Sequence, residues 1–501
     1  MPSTEEKLNW PVVIVIIIGT FMAILDGTIV NVALPKMMNV FNASPDRAQW
    51  IVTAYMLCLG VVMPVSGYLG DRFGYKRIYW LALLFFVIGS TLCGLAWSIE
   101  SMIVARVIQA LGGGIMQPLG MAILYKNFPK EKMGMVLGVW GIAIMAAPAV
   151  GPTLGGYLVD YINWRMIFYV NIPVGVLNLF LASMILKETA SVPHQSFDKV
   201  GLLCSTVGFF CLLLAISQST VKGWNSPYIV FLFYVALLAL GCFIYNELHH
   251  PDPILDLRLF RNFVFSISVI IGSIISIGMF GAIFLLPLFL QRVLGQTAMQ
   301  TGLIMFPAAF ASGLMMPISG RIFDKYGARW TVIFGLAIVV WTTYMMGTFN
   351  ANTSFAAMTI WFTLRGFGMG FCFMPVTTAG MNTVPLELVG RASALNNVIR
   401  QVASAFGIAL FTGIMQSRQA FHAFNYTQAI NPGSVDFMQL QQAFKGMVLS
   451  GGPGGDAILQ SMLTGKIMQM SMIQAINDCF LIAALLCGFA LLLSFFLRDR
   501  R

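Results

Sequence analysis

The chain is a succession of apolar runs, each about as long as a bilayer is thick, separated by short polar segments. The runs fall at about 11–33, 48–70, 78–98, 102–125, 134–159, 165–186, 200–219, 227–246, 263–290, 299–320, 330–349, 355–382, 392–415 and 473–497. Each is near the roughly 20 residues an α-helix needs to cross about 30 Å of hydrocarbon, where every backbone polar group must be satisfied within the segment. The pattern predicts an all-α membrane protein with fourteen transmembrane helices. Its one long extramembrane segment is 416–472. There DFMQLQQAFKGMVL (Asp436–Leu449), followed by SGGPGG, predicts a short amphipathic helix and a turn.

Composition agrees: 58% of residues are hydrophobic and only 10% charged, against about a quarter charged in a soluble domain. The net charge of +10 would allow a nucleic-acid partner. However, the basic residues stand singly at the ends of apolar runs, with no basic face interleaved with aromatics, so nucleic acid is excluded as a partner. With the N-terminus inside, the inner segments carry Lys7, Arg72, Lys76, Arg77, Lys126, Lys130, Lys132, Arg321, Lys325 and Arg329 among others. The outer segments carry fewer, such as Lys36, Arg47 and Arg165. This asymmetry predicts that both termini are cytoplasmic. MPSTEEKLNW, with two acids and one Lys, leads into a first spanning helix rather than a cleaved signal. The eight Cys lie mostly inside apolar runs without CxxC spacing, which points to neither a disulfide framework nor a metal site. Four His, all expected in loops, and the absence of HExxH, GxSxG and phosphate-loop patterns argue against an enzyme. No cofactor is expected.

The candidate chemistry begins with Asp26, in the middle of PVVIVIIIGTFMAILDGTIVNVAL. On translocon scales a central Asp costs roughly +2.5 to +3.5 kcal/mol, so it is a functional hypothesis by default. Gly27, Thr28 and Asn31 follow it and point to a face turned toward protein or water. Arg106 lies inside the fourth run and cannot shed its charge, so it must find an acceptor or water. Its candidate partners are Asp26 or carbonyls near the first helix; the alternative is snorkelling to the outer interface beyond Glu100. Arg365 and Arg400 raise the same question in later runs, and Asp478 is read as interfacial.

An internal repeat organises these residues. PVSGYLGDRFGYKR (Pro64–Arg77) recurs as PISGRIFDKYGARW (Pro317–Trp330), aligning Gly67 with Gly320, Asp71 with Asp324, Arg72 with Lys325 and Gly74 with Gly327. RVIQALGGGIMQP from Arg106 is echoed by RGFGMGFCFMP from Arg365. Two related six-helix halves follow: 1–190, and 261–501 with its external segment, separated by an inserted helix pair in 191–260. In the loop motif, Gly67 and Gly74 permit close approach and a tight turn. Asp71 and Arg72 with Lys76 and Arg77, and Asp324 with Lys325 in the repeat, can pair across helix ends and latch one conformation. The alternative is a basic loop that only sets topology. Pro148, Gly151, Pro152, Gly155 and Gly156 predict a kinked packing face.

Taken together, these segments resemble the major facilitator superfamily, in particular its fourteen-helix drug:proton antiporters of the EmrB/QacA type. The resemblance rests on GYLGDRFGYKR (Gly67–Arg77), Arg106 with Gln109, APAVGPTLGG (Ala147–Gly156), LDGTIVNVALP (Leu25–Pro35) and NWRMIFYVNIPVG (Asn163–Gly175). Ala110 stands where Gly often follows that Gln. The resemblance implies a bacterial inner-membrane efflux pump that exchanges protons, its coupling ion, for lipophilic and often cationic compounds. It also implies that the Gly/Pro helix restricts proton leak and that the external loop can meet a periplasmic adaptor, unless that loop has no partner.

Loss of hydration favours a neutral acid while a nearby guanidinium favours the carboxylate, which makes an acid placed like Asp26 a candidate for proton exchange. Proton and cationic cargo would then compete for one carboxylate. Polarizable and aromatic side chains such as Phe21, Met22, Met116, Trp140, Met145, Phe284, Phe306, Met374 and Phe406, with Asn31, Gln109 and Arg400, are the candidate substrate contacts, although lipid-facing packing explains many Phe and Met equally. The same motifs also suit an exporter of one specific metabolite, siderophore or lipid.

Overall fold

The computed structural model describes residues 9–188, 198–429 and 455–497. Among them no strand occurs, as expected where a chain in hydrocarbon must close its hydrogen bonds within each segment. Each expected span has its helix. The N-half comprises α1 (Trp10–Phe41), α2 (Pro45–Phe73), α3 (Tyr75–Leu95), α4 (Ile99–Asn127), α5 (Met133–Tyr161), and one span broken into α6 (Met166–Tyr169) and α7 (Asn171–Ile185). Next come α8 (Lys199–Lys222) and α9 (Pro227–His249). The C-half holds α10 (Phe263–Leu288), α11 (Ala298–Tyr326), α12 (Ala328–Met346), α13 (Phe355–Met381), α14 (Val389–Ala429) and α15 (Gly455–Ser494). Twelve of these segments are long and apolar enough to cross a membrane, and bent α5 makes thirteen. The fourteenth is α13, a 27-residue helix interrupted by Arg365 and several glycines.

Local signals set the helix ends. Ser98 and Ser101 form a capping box on α4, and Thr297 and Gln300 form one on α11, satisfying amides that have no intrahelical partner. The repeated turns match in backbone: Gly74 (φ 94°) joins α2 to α3, and Gly327 (φ 89°) joins α11 to α12. A side chain is strained at such angles. The prolines of α5 bend it by about 40° past Pro148 because each removes a donor from the ladder.

The halves meet along α5 against α11 and α2 against α14. The pair α8 and α9 packs on the outside of this seam, where Leu213 of α8 lies in one cluster with Leu57 of α2, flanked by Val402 and Ala405 of α14. Within the segment expected at 416–472, α14 runs on to Ala429 and α15 begins at Gly455, since helix propagates once nucleated by the adjoining span. The amphipathic helix expected over Asp436–Leu449, with its adaptor contact, lies outside the described residues. Finally, His422 lies within α14 and His249 ends α9, so these two are helical rather than in loops.

Candidate functional site

Asp26 projects from the middle of α1 into protein and is fully buried, as is Arg106 of α4. Arg106 Nη1 forms an ion pair with Asp26 Oδ2. Gln109 Nε2 donates to Asp26 Oδ1 at 2.8 Å, and Asn171 Nδ2 at the start of α7 donates to the same oxygen at 3.0 Å. Gln109 also donates to Ser90 Oγ of α3 at 2.7 Å. Arg106 Nη1 reaches Gln109 Oε1 at 2.6 Å, and its Nε donates to the Ile51 carbonyl of α2 at 3.3 Å. The Tyr55 ring lies 3.8 Å from the guanidinium carbon. Five spans thus converge on one carboxylate.

Close helix packing makes this convergence possible. A Cβ on Gly89 of α3 would collide with the backbone of Gln109, so only glycine lets α4 lie near enough for Gln109 to bridge Ser90 and Asp26. Of the two partners predicted for Arg106, the structure uses Asp26; its carbonyl contact is on α2 rather than α1, and snorkelling is ruled out by complete burial. Asn171, Ser90 and Tyr55 escaped sequence reasoning. Asn171 lies within the resemblance motif Asn163–Gly175 without being singled out there, and a polar residue within an apolar run, a common signal, is all that marks Ser90.

A second constellation lies at the end of the bundle carrying the repeated loop motif. Gly67 of α2 faces Gly390 of α14, and Gly320 of α11 faces Gly134 of α5. The repeat therefore appears in space as two matched crossings between the halves. Asp71 accepts from Tyr75 Oη at 2.6 Å and sits 3.7 Å from Lys126 Nζ and 3.8 Å from Arg391 Nε. Its repeat counterpart Asp324 accepts from the backbone amides of Gly134 (2.9 Å) and Met135 (3.0 Å) at the start of α5, where the helix dipole favours an anion. The expected pairing of Asp71 with Arg72, Lys76 and Arg77 does not form. Arg72 binds Tyr68 Oη, Lys76 Nζ donates to the Ser183 carbonyl at 2.6 Å, and Arg77 is exposed. Beyond the turn Lys76 and Arg77 point to α7 or solvent, leaving Asp71 to Tyr75 of α3, Lys126 of α4 and Arg391 of α14. Lys325 lies beside the Tyr326 ring.

In α5, Gly151 meets Thr28 and Gly155 meets Ile29 of α1, but Gly156 has nothing within 4 Å of a built Cβ. Gly156 is therefore not part of the expected packing face. Pro148 lines a cavity of about 60 Å³ between the halves, together with Met145, Met279, Ser312, Phe362 and Arg365, and Pro152 is half-buried. Of the predicted substrate contacts only Met145 lines this cavity. Met22 and Met116 are buried in the N-half core, Gln109 is held by Asp26, Phe21 is half-buried, Asn31 is exposed, and Arg400 stacks on Phe373 at 4.1 Å. Arg418, His422 and Asp478 join α14 to α15, with Asp478 2.6 Å from Arg418 and 2.7 Å from His422.

The Major Facilitator Superfamily model matches residues 16–408. The chain belongs to the major facilitator superfamily. Within that superfamily it is 36% identical to the uncharacterised transporter YhcA of Bacillus subtilis, over 99% of this chain and 94% of that one. It is 33% identical to the multidrug export protein EmrB of Haemophilus influenzae, over 93% and 91% respectively, and 31% identical to the lincomycin resistance protein LmrB of Bacillus subtilis, over 83% and 88%. These relatives place it with the EmrB/QacA type of exporter. Its fold is similar to that of the human organic anion transporter MFSD10 (TM-score 0.63, 13% identity, 97% and 99% of the two chains). The proton:xylose symporter XylE gives a TM-score of 0.56 at 14% identity, over 95% and 94%. The chain is a multi-pass membrane transporter and not an enzyme.

Proposed function

We propose that the protein exports small lipophilic compounds across the bacterial inner membrane by alternating access, driven by protons that enter through Asp26. The observation that carries this reading is the complete burial of the Asp26–Arg106 pair. Protonating Asp26 cancels its charge and leaves Arg106 without its counter-ion, and breaking a buried pair in this way costs about 3–5 kcal/mol. A protonated site must therefore rearrange, which ties proton uptake to a conformational change. The proton gradient is ample for the work: each charge moved through 100 mV supplies about 2.3 kcal/mol, close to a fifty-fold concentration ratio.

The crossings of Gly67 with Gly390 and of Gly320 with Gly134 close the motif end, which we assign to the cytoplasm together with both termini. Asp71 and Asp324 are the latches released when the halves rock. The relatives named for multidrug export and lincomycin resistance support efflux of lipophilic cargo.

The test is transport in proteoliposomes of inside-out orientation. An acid interior should drive accumulation of lipophilic dyes, and a protonophore should collapse it. Indifference of every transported compound to the proton gradient would remove proton coupling, and transport of a single metabolite alone would favour a dedicated carrier.

A further inference from the structure

The two halves treat their repeated arginines differently. Arg106 of α4 reaches back to the first helix of its own half and finds the Asp26 carboxylate. Arg365 of α13 does the same in the C-half, yet on α10 it finds only the Gly278 carbonyl, accepting from Nη2 at 3.1 Å. Its Nε donates to Thr343 Oγ1 at 3.2 Å. Among the described residues its hydrogen bonds use only Nε and Nη2, leaving Nη1 without one, and no acidic residue lines the cavity that Arg365 borders. The side chain is only 4% exposed, and a guanidinium keeps its charge at any physiological pH.

Burial of an unpaired cation is costly, and among the described residues no carboxylate offsets that cost here. The same cavity exposes a second unmet donor: the Ser312 hydroxyl of α11 is buried without a hydrogen-bond partner. The remaining walls are apolar, including Met145, Met279, Phe362 and Met369. At about 60 Å³ the space admits a few waters or one small polar group. Nothing lining it would attract a cation: its walls carry no acid, and Asp26 is already held by Arg106, Gln109 and Asn171.

We infer that the cargo supplies the missing anion: Arg365 and Ser312 form a subsite for a carboxylate, or a comparably acidic group, whose compound places its apolar body against the Met and Phe walls when the halves rock apart and widen the cavity. This rests on the export reading and specifies its substrate class as amphipathic anions or zwitterions. Charge-assisted hydrogen bonding to a fork of N–H donors is the natural recognition of such a group.

The test uses purified full-length protein and three probes, 2-naphthoate, 9-anthroate and 1-pyrenebutyrate, each beside its methyl ester, with binding followed by quenching of tryptophan fluorescence. At least one acid should bind wild type about tenfold or more tighter than its ester, as expected for a buried charge-assisted contact. Arg365→Gln should erase that preference and Arg365→Lys should retain part of it, with thermal unfolding confirming that both variants are folded. If no acid is preferred over its ester by wild type, or if Arg365→Gln keeps the preference, the subsite is overturned. Gradient-driven dye uptake by the same wild-type preparation reports on the export reading separately, so the loss of one is distinguishable from the loss of the other.

Discussion

Gly67 and Gly390 touch across the two halves so closely that a Cβ built on Gly67 would lie 2.6 Å from the Gly390 carbonyl oxygen. At this crossing there is no side chain to bend away, only backbone of α14, so α2 and α14 would have to separate. Gly67→Ala should therefore weaken closure of the motif end by about 1–3 kcal/mol, the usual range for overpacking. Cysteines placed on facing helices near the crossing should label faster in the variant, and unchanged labelling would contradict the contact's role in closure.

Asp71 holds α14 through Arg391 and α4 through Lys126, at distances of 3.8 and 3.7 Å. Asp71→Asn keeps an acceptor for Tyr75 but removes both ionic contacts. The expected effect is a several-fold rise in opening of the motif end, about 1 kcal/mol for contacts of this length. Because Arg391 acts through the same carboxylate, Arg391→Gln combined with Asp71→Asn should be less than additive. Full additivity in labelling rates would show the two residues to be independent.

Asp324 occupies the repeat position of Asp71 yet does different work, accepting from the first amides of α5. Asp324→Ala should cost about 0.5–2 kcal/mol, as for loss of a helix cap, while Asp324→Asn should recover much of it because an amide oxygen still accepts. Thermal unfolding of both variants decides between capping and a purely ionic role.

Asp26→Asn should abolish proton-driven transport and also lower stability, since Arg106 loses its buried counter-ion. Adding Arg106→Gln should restore thermal stability without restoring coupling. Persistence of gradient-driven efflux in the single variant would exclude Asp26 as the coupling acid.

Along α5 the glycines separate by neighbour. Gly155→Ala places a Cβ 2.8 Å from Ile29 and should destabilise the α1–α5 contact. Gly156→Ala meets nothing within 4 Å and should stay within about 0.5 kcal/mol of wild type. Equal losses at both positions, measured as folded yield and unfolding temperature, would show that contact with Ile29 does not set the cost, since helix propensity alone favours Ala at both.

Much of the architecture was legible in the chain itself. Apolar runs of spanning length, the repeat of Pro64–Arg77 at Pro317–Trp330, and an acid and an arginine stranded in lipid-length segments follow from a rule that depends only on local composition: hydrocarbon accepts neither open backbone nor idle charge. Which partners those charges choose is a different matter. Asp26 drew Gln109 and Asn171 as well as Arg106. Asp71 turned from its neighbours in the motif to Lys126 and Arg391, and Arg365 was left without an acid. Sequence determined how many helices there are, their related halves and the residues too polar for lipid. Tertiary structure alone decided the pairings, because an ion pair or hydrogen bond depends on separations of a few ångströms between side chains far apart in the chain, and these are set by how closely glycine-lined helices pack.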